Sequence, residues 1–243
     1  FNTISEKPEI IVWPETALPC YLKHSAYCQN RIHKFVNSTN VPLLTGASHY
    51  DSSTRRPFNS AFFIKPNSSA LPSYAKMHLV PFGERTPYRD VIPFLGSIDW
   101  TKWTGDLGPA EFSPGVERKL FDHPKGKLGT LICFESVFSD LVRRHVLSGA
   151  QALINITNDS WFGLSAGPYQ HALLNAMRAI ENRVAIARSA TTGQSLFIDR
   201  FGRQSKQSDL FVETSIIGEI KLERAGSFYT RQGDLFAWIC SLT

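Results

Sequence analysis

The stretch "GKLGTLICFESVFSDLVRRHVLSGAQALINITN" (residues 126–158) decides the fold class. Its first nine residues form an apolar run of strand length. "SDLVRRHVLSG" (139–149) then carries helical spacing, with Ser139 as the expected N-cap and Gly149 past its end. "AQALINITN" (150–158) is a second apolar strand. Strand, helix, strand at this spacing predicts an α/β layered fold with buried sheets.

The flanking sequence repeats the alternation. "PEIIVWP" (8–14), "VPLLTGASHY" (41–50) and "SAFFIK" (60–65) read as strands, the last two joined as a hairpin across the polar turn "SSTRRPFN" (52–59). "AYCQNRIHKFVNST" (26–39) and "YQHALLNAMRAIENRVAI" (169–186) read as amphipathic helices, and "AIARSAT", "SLFID" and "TSIIGEI" as further strands. Residues 86 to 114 are rich in Pro, Gly and Trp, and a loop of that length is usually functional or disordered.

At 243 residues the chain can bury a sizeable core. Its formal charge of +5 is scattered rather than run together, which argues against a nucleic-acid tail. Such a surface would suit anionic lipid head groups, but plain solvation is the better explanation for most of these charges. The four cysteines, Cys20, Cys28, Cys133 and Cys240, lack zinc spacing. Cys20 and Cys28 are either a local disulfide or two free thiols. No stretch reaches the length of a membrane helix. The terminal "LFAWICSL" is either a closing element packed on the core or the start of a membrane helix.

Cys133 ends an apolar strand with Glu135 two positions on, Glu15 follows another strand in "VWPETALP", and Lys76 and Glu84 flank the apolar segment of "YAKMHLVPFGE". A thiol needs a base or a lowered pKa to attack a carbonyl. A carboxylate can take its proton, and a lysine cation can steady the oxyanion that forms. Taken one at a time, each residue is more often solvated surface or core than catalytic. His24, His49, His78, His123 and His145 show no ligand spacing, and His171 sits on a helix; all read as structural or surface residues.

The ordered set of WPE, K-x-HLVPFGE and CFE resembles the nitrilase (carbon–nitrogen hydrolase) superfamily. "WPETALP", "KMHLVPFGERTPYR", "ICFES", "NDSWFG", "GPYQHALLNAMRAIENR" and "FYTRQGDLFAW" are similar to the periplasmic domain of the apolipoprotein N-acyltransferase branch, over about Glu9 to Trp238. The resemblance implies an α-β-β-α sandwich of two stacked sheets, with residues 1–234 as the catalytic domain. It implies Glu15 as general base, Lys76 as oxyanion stabiliser, Cys133 as nucleophile, and Glu84 and Glu135 in support. Phe134 stands where family members often carry Tyr, which removes a hydroxyl and keeps the ring. Phe134, Trp161 and Phe162 are the residues expected to meet lipid; plain packing is the alternative for Trp161 and Phe162.

The resemblance further implies a monomer in the bacterial inner membrane, with its catalytic domain on the periplasmic side. The donor would be a phospholipid and the acceptor a diacylated apolipoprotein, with no metal or organic cofactor. The superfamily's opening strand is expected to lie outside this sequence, and residues 235–243 to begin a final membrane helix. The long loop, with Trp100 and Trp103, suits an apolar lid at the bilayer or a surface loop with tucked-in rings. A soluble amidase or nitrilase using the same three residues is the competing function.

Overall fold

The computed structural model describes residues 7–88, 91–92, 94, 98 and 111–241. Trp100 and Trp103, and with them the lid expectation, lie outside the described residues. The elements run β1 (Ile11–Val12), β2 (Leu18–Tyr21), α1 (Ala26–Thr39), β3 (Leu43–Asp51), β4 (Arg56–Ile64), β5 (Ser73–Ala75), β6 (Leu120–His123) and β7 (Gly126–Ile132). They continue with α2 (Ser139–Leu147), β8 (Ala152–Asn158), α3 (Gly167–Asn182), β9 (Ala185–Thr191), β10 (Leu196–Ile198), β11 (Gln204–Ser205), α4 (Phe228–Gln232) and α5 (Leu235–Ser241).

Two mixed sheets result. One is ordered β1-β3-β4-β5, with β2 also paired to β3; the other is ordered β11-β10-β9-β8-β7-β6. β7, β8 and β9 are parallel to one another, so their C-terminal ends open on the same side. The strand–helix–strand reading of residues 126–158 is therefore the β7–α2–β8 crossover.

Strand alternation sorts the side chains into three layers. Leu44, Ala61, Phe63 and Tyr74 of the first sheet pack against Phe121, Leu128, Ile132, Ile154 and Ile156 of the second. The outer face of the first sheet (Leu43, Ala47, Phe62, Ile64) is covered by Ile32 and Val36 of α1. The outer face of the second (Leu131, Leu153, Ile186) is covered by Val142 and Val146 of α2 and by Ala172, Ala176 and Ala179 of α3. The α-β-β-α sandwich is the observed architecture.

Three local expectations need correction. Phe138, not Ser139, occupies the N-cap of α2 and makes no side-chain cap; the first turn is tied instead by Asp140, which pairs with Arg143 and Arg144. "TSIIGEI" joins neither sheet. Its Ile220 tucks against the inter-sheet core without backbone pairing, which gives it the pattern of a strand but not the ladder. "PEIIVWP" shrinks to the two residues of β1, paired in parallel with Leu43 and Leu44. Cys20 and Cys28, left open by the sequence, are joined as a disulfide between β2 and α1.

No helix among the described residues is long and apolar enough to cross a membrane. α5 is short and holds Phe236, Trp238 and Ile239 exposed rather than packed on the core.

The inter-sheet layer carries the stability of the site. Phe63 is 1% exposed and lies with its ring 5.5 Å from that of Phe121 across the two sheets. Phe63→Ala is expected to cost about 3–5 kcal/mol, read as a lowered urea midpoint at unchanged slope.

Candidate active site

Glu15 follows β1, Lys76 follows β5 and Cys133 follows β7, so both sheets deliver residues to one end of the sandwich. Gly46 on β3 makes room for this. A Cβ there would lie 2.5 Å from the Thr16 nitrogen and 2.6 Å from the Glu15 Cα.

The side chains meet in a buried polar cluster. Lys76 Nζ is 3.3 Å from Glu15 Oε1 and 2.8 Å from Glu84 Oε2, and all three side chains are under a tenth exposed. Asn59 on β4 uses its amide nitrogen twice, donating to Glu15 Oε1 at 2.6 Å and Glu84 Oε1 at 2.9 Å. The other oxygen of Glu15 accepts the Asn158 backbone N–H at 2.8 Å, at the end of β8. Glu84 Oε2 also accepts the Val80 N–H at 2.8 Å. Glu15 is thus fixed in direction from three sides. Burial disfavours the Lys76 ammonium, but Glu15, Cys133 and Glu84 outweigh it and hold its pKa above the ordinary lysine value.

Cys133 opens a 3-10 turn (Cys133–Val137) and has φ 51°, a left-handed conformation that costs a non-glycine residue of order 1–3 kcal/mol. Burial, and next the negative charge of Glu15, push its thiol up to about 12; Lys76 and a hydrogen bond with Thr157 pull the other way. The sulfur is therefore a neutral thiol at physiological pH, beside a fixed carboxylate and a cation.

Glu135, fully buried, clips the cysteine turn to the lysine loop. One carboxylate oxygen accepts the Tyr74 hydroxyl at 2.8 Å, the Met77 N–H at 2.7 Å and the His78 N–H at 3.3 Å; the other accepts the Ile132 N–H at 2.8 Å. Burial outweighs these donors and raises its pKa to about 7.

The sequence-expected residues Glu15, Lys76, Glu84, Cys133 and Glu135 thus come together. Phe134 is partly buried against the inter-sheet core, with its ring edge-on to Phe138. Trp161 and Phe162 sit half-exposed on a 3-10 turn after β8. Trp161 is near Gly83, where a Cβ would lie 3.9 Å from its ring, and Phe162 packs on His171.

Four polar residues were not singled out from the sequence, or were read otherwise. Asn59 bridges the two glutamates. Asp159 accepts His171 Nδ1 at 2.9 Å and Arg188 at 2.6 Å. His171 is not on the surface but is 5% exposed, with Nε2 3.2 Å from the Cys133 carbonyl oxygen. Arg188 stands as a polar residue inside the apolar strand "AIARSAT", whereas Asn59 falls in the stretch read as the polar turn 52–59, of which Arg56 to Asn59 in fact belong to β4. Among the described residues no cluster of three or more His, Cys, Asp or Glu is arranged to hold a metal ion.

A family model described as carbon-nitrogen hydrolase matches residues 2–230. The chain belongs to the carbon–nitrogen hydrolase family. This carbon–nitrogen hydrolase domain is 38% identical over 96% of its length to an apolipoprotein N-acyltransferase of Geobacter metallireducens, covering 44% of that protein. It is 33% identical over 97% of its length to the apolipoprotein N-acyltransferase of Chlorobaculum tepidum, covering 48%. The chain therefore spans about half the length of these curated relatives.

Among solved structures it is similar to the amidase of Nesterenkonia sp. AN1 (TM-score 0.65, 14% identity, 97% of this chain and 86% of that one). It is also similar to a nitrilase-superfamily member of Saccharomyces cerevisiae (TM-score 0.58, 19% identity, 83% and 73%). These likenesses fix the nitrilase fold.

The raised pKa of Glu135 has a thermodynamic signature. A folded value of about 7 lies above the ordinary glutamate value of 4.5, so the native state binds the extra proton between them. The stability this proton confers is complete below about pH 4.5 and is lost as pH rises through about 7. Glu135→Gln, which turns an amide toward one of the donors, is expected to cost about 1–3 kcal/mol near pH 4.5. The gap to wild type should narrow by pH 8 in urea melts; a gap that stays constant or widens would refute the assignment.

Proposed function

We propose that this domain transfers a fatty acyl chain from a phospholipid, through a thioester on Cys133, to the α-amino group of a diacylglyceryl-cysteine at a lipoprotein N-terminus. The observation that carries the reading is the similarity to named apolipoprotein N-acyltransferases over nearly the whole chain. The Glu15–Lys76–Cys133 cluster supplies chemistry that suits it.

Glu15 takes the thiol proton as the sulfur attacks the ester carbonyl. Lys76 stabilises the tetrahedral oxyanion. This intermediate collapses to the thioester, and the lysophospholipid oxygen leaves with the proton from Glu15. The neutral amine of the acceptor then attacks the thioester, Glu15 removes a proton from the attacking nitrogen, and that proton returns to the departing sulfur. Two moderate barriers replace one high barrier. Glu84 supports the cation, and Glu135 holds the cysteine turn against the lysine loop.

Three features favour a lipid-facing, extracytoplasmic setting. Phe82, Trp161 and Phe162 leave apolar surface exposed on segments that also carry or flank Glu84 and Asn158. α5 presents Phe236, Trp238 and Ile239 outward, which suits the proposed start of a membrane helix at residue 235. The Cys20–Cys28 disulfide suits an oxidising compartment such as the periplasm.

The test is intact-mass and peptide mass spectrometry after incubation with phosphatidylethanolamine vesicles, followed by a diacylated lipopeptide. A fatty acyl adduct on Cys133 and a triacylated product are expected. Glu15→Gln should form the adduct about 10²–10⁴-fold more slowly. Ammonia release from small amides, with no adduct from the phospholipid, would replace this reading with that of an amidase.

A further inference from the structure

Behind the cysteine lies a second polar network on the helix-covered side of the β7–β8–β9 sheet. Asp159 is wholly buried, and its Oδ1 accepts two hydrogen bonds, from His171 Nδ1 at 2.9 Å and from the Thr157 hydroxyl at 3.0 Å. Its Oδ2 accepts from Arg188 at 2.6 Å, and Arg188 is anchored in turn to Asn155 and to the Gln194 carbonyl. Gly193 closes over this oxygen, where a Cβ would lie 2.0 Å away.

The His171 branch from Asp159 Oδ1 ends on Cys133. With both ring nitrogens donating, His171 Nε2 reaches the carbonyl oxygen of Cys133 at 3.2 Å; Ser136 Oγ lies 3.4 Å from Nε2 and donates to the same carbonyl at 3.2 Å.

We infer that His171, oriented by Asp159, is a positioning residue that holds the backbone of Cys133. This rests on the reading of Cys133 as the nucleophile. The physical need is the left-handed turn at Cys133. In that conformation the carbonyl plane sets the direction of the Cα–Cβ bond, and a sulfur displaced by 1 Å can lose about 10²-fold in rate. Arg188 already satisfies the other oxygen of Asp159, so a network that served only to join β8 and β9 would not require His171. What His171 adds is the link to the cysteine turn.

Two conservative substitutions separate the roles. In His171→Asn the amide can take the place of Nδ1 and keep Asp159, but it falls short of the Cys133 carbonyl. In His171→Gln the amide can take the place of Nε2 and reach that carbonyl. The readout is the rate of Cys133 alkylation by iodoacetamide, located by peptide mass spectrometry to separate it from Cys240, with thermal midpoints taken alongside. His171→Gln is expected to alkylate within about threefold of wild type, and His171→Asn about tenfold or more below it. Equal rates for the two variants would overturn the inference.

Alkylation uses no lipid, so failure of the phospholipid experiment and failure of this one are distinguishable.

Discussion

One ammonium shared by two carboxylates, all three out of water, is the constraint on which the rest depends. An unpaired buried ion costs several kcal/mol after relaxation. Lys76 between Glu15 and Glu84 is tolerated because each partner is also hydrogen-bonded, to Asn59, to the Asn158 N–H and to the Val80 N–H. Those partners come from β4, from the end of β8 and from the loop after β5. The cluster can therefore exist only if the two sheets stack with those ends together, and the sandwich supplies that alignment. Gly46 belongs to the same constraint, because a side chain there would drive β3 away from Glu15.

Charge is already distributed before any substrate arrives. The sulfur is neutral, the neighbouring carboxylate is fixed, and the cation sits where it can meet an incoming negative charge. Moving the thiol proton to Glu15 transfers negative charge from the carboxylate to sulfur, so the net charge of the pocket does not change. That matters in a buried site, where a change of net charge is penalised more than a rearrangement. Glu135 works beside this, tying the Cys133 turn to the backbone that follows Lys76. The distance between cation and sulfur is thereby set by main chain as well as by flexible side chains.

The layered fold was legible because its signals are local: apolar runs of strand length, an amphipathic period in residues 169–186, and a polar turn in the hairpin of β3 and β4. Glu15, Lys76 and Cys133 were legible only as an ordered set, since each taken alone resembles ordinary surface or core. Asn59, Asp159, His171 and Arg188 escaped notice for a different reason. Apart from Thr157 and Gln194, their hydrogen-bond partners described above lie 12 to 44 positions away, and a lone polar residue beside an apolar run reads as an interruption until the strand opposite is known. "TSIIGEI" misled in the opposite direction, because burial of Ile220 imitates strand alternation without any ladder.

The buried, protonated state of Cys133 also bears on chemical survival. Oxidants and disulfides react with thiolates at accessible sites. A sulfur whose proton is held to about pH 12, in a residue 8% exposed, offers them little purchase. Cys20 and Cys28 are cross-linked in this same molecule. The chain thus combines one pair of cysteines committed to oxidation with a third shielded from it, and in the proposed reaction the shielding is lifted as Glu15 takes the proton.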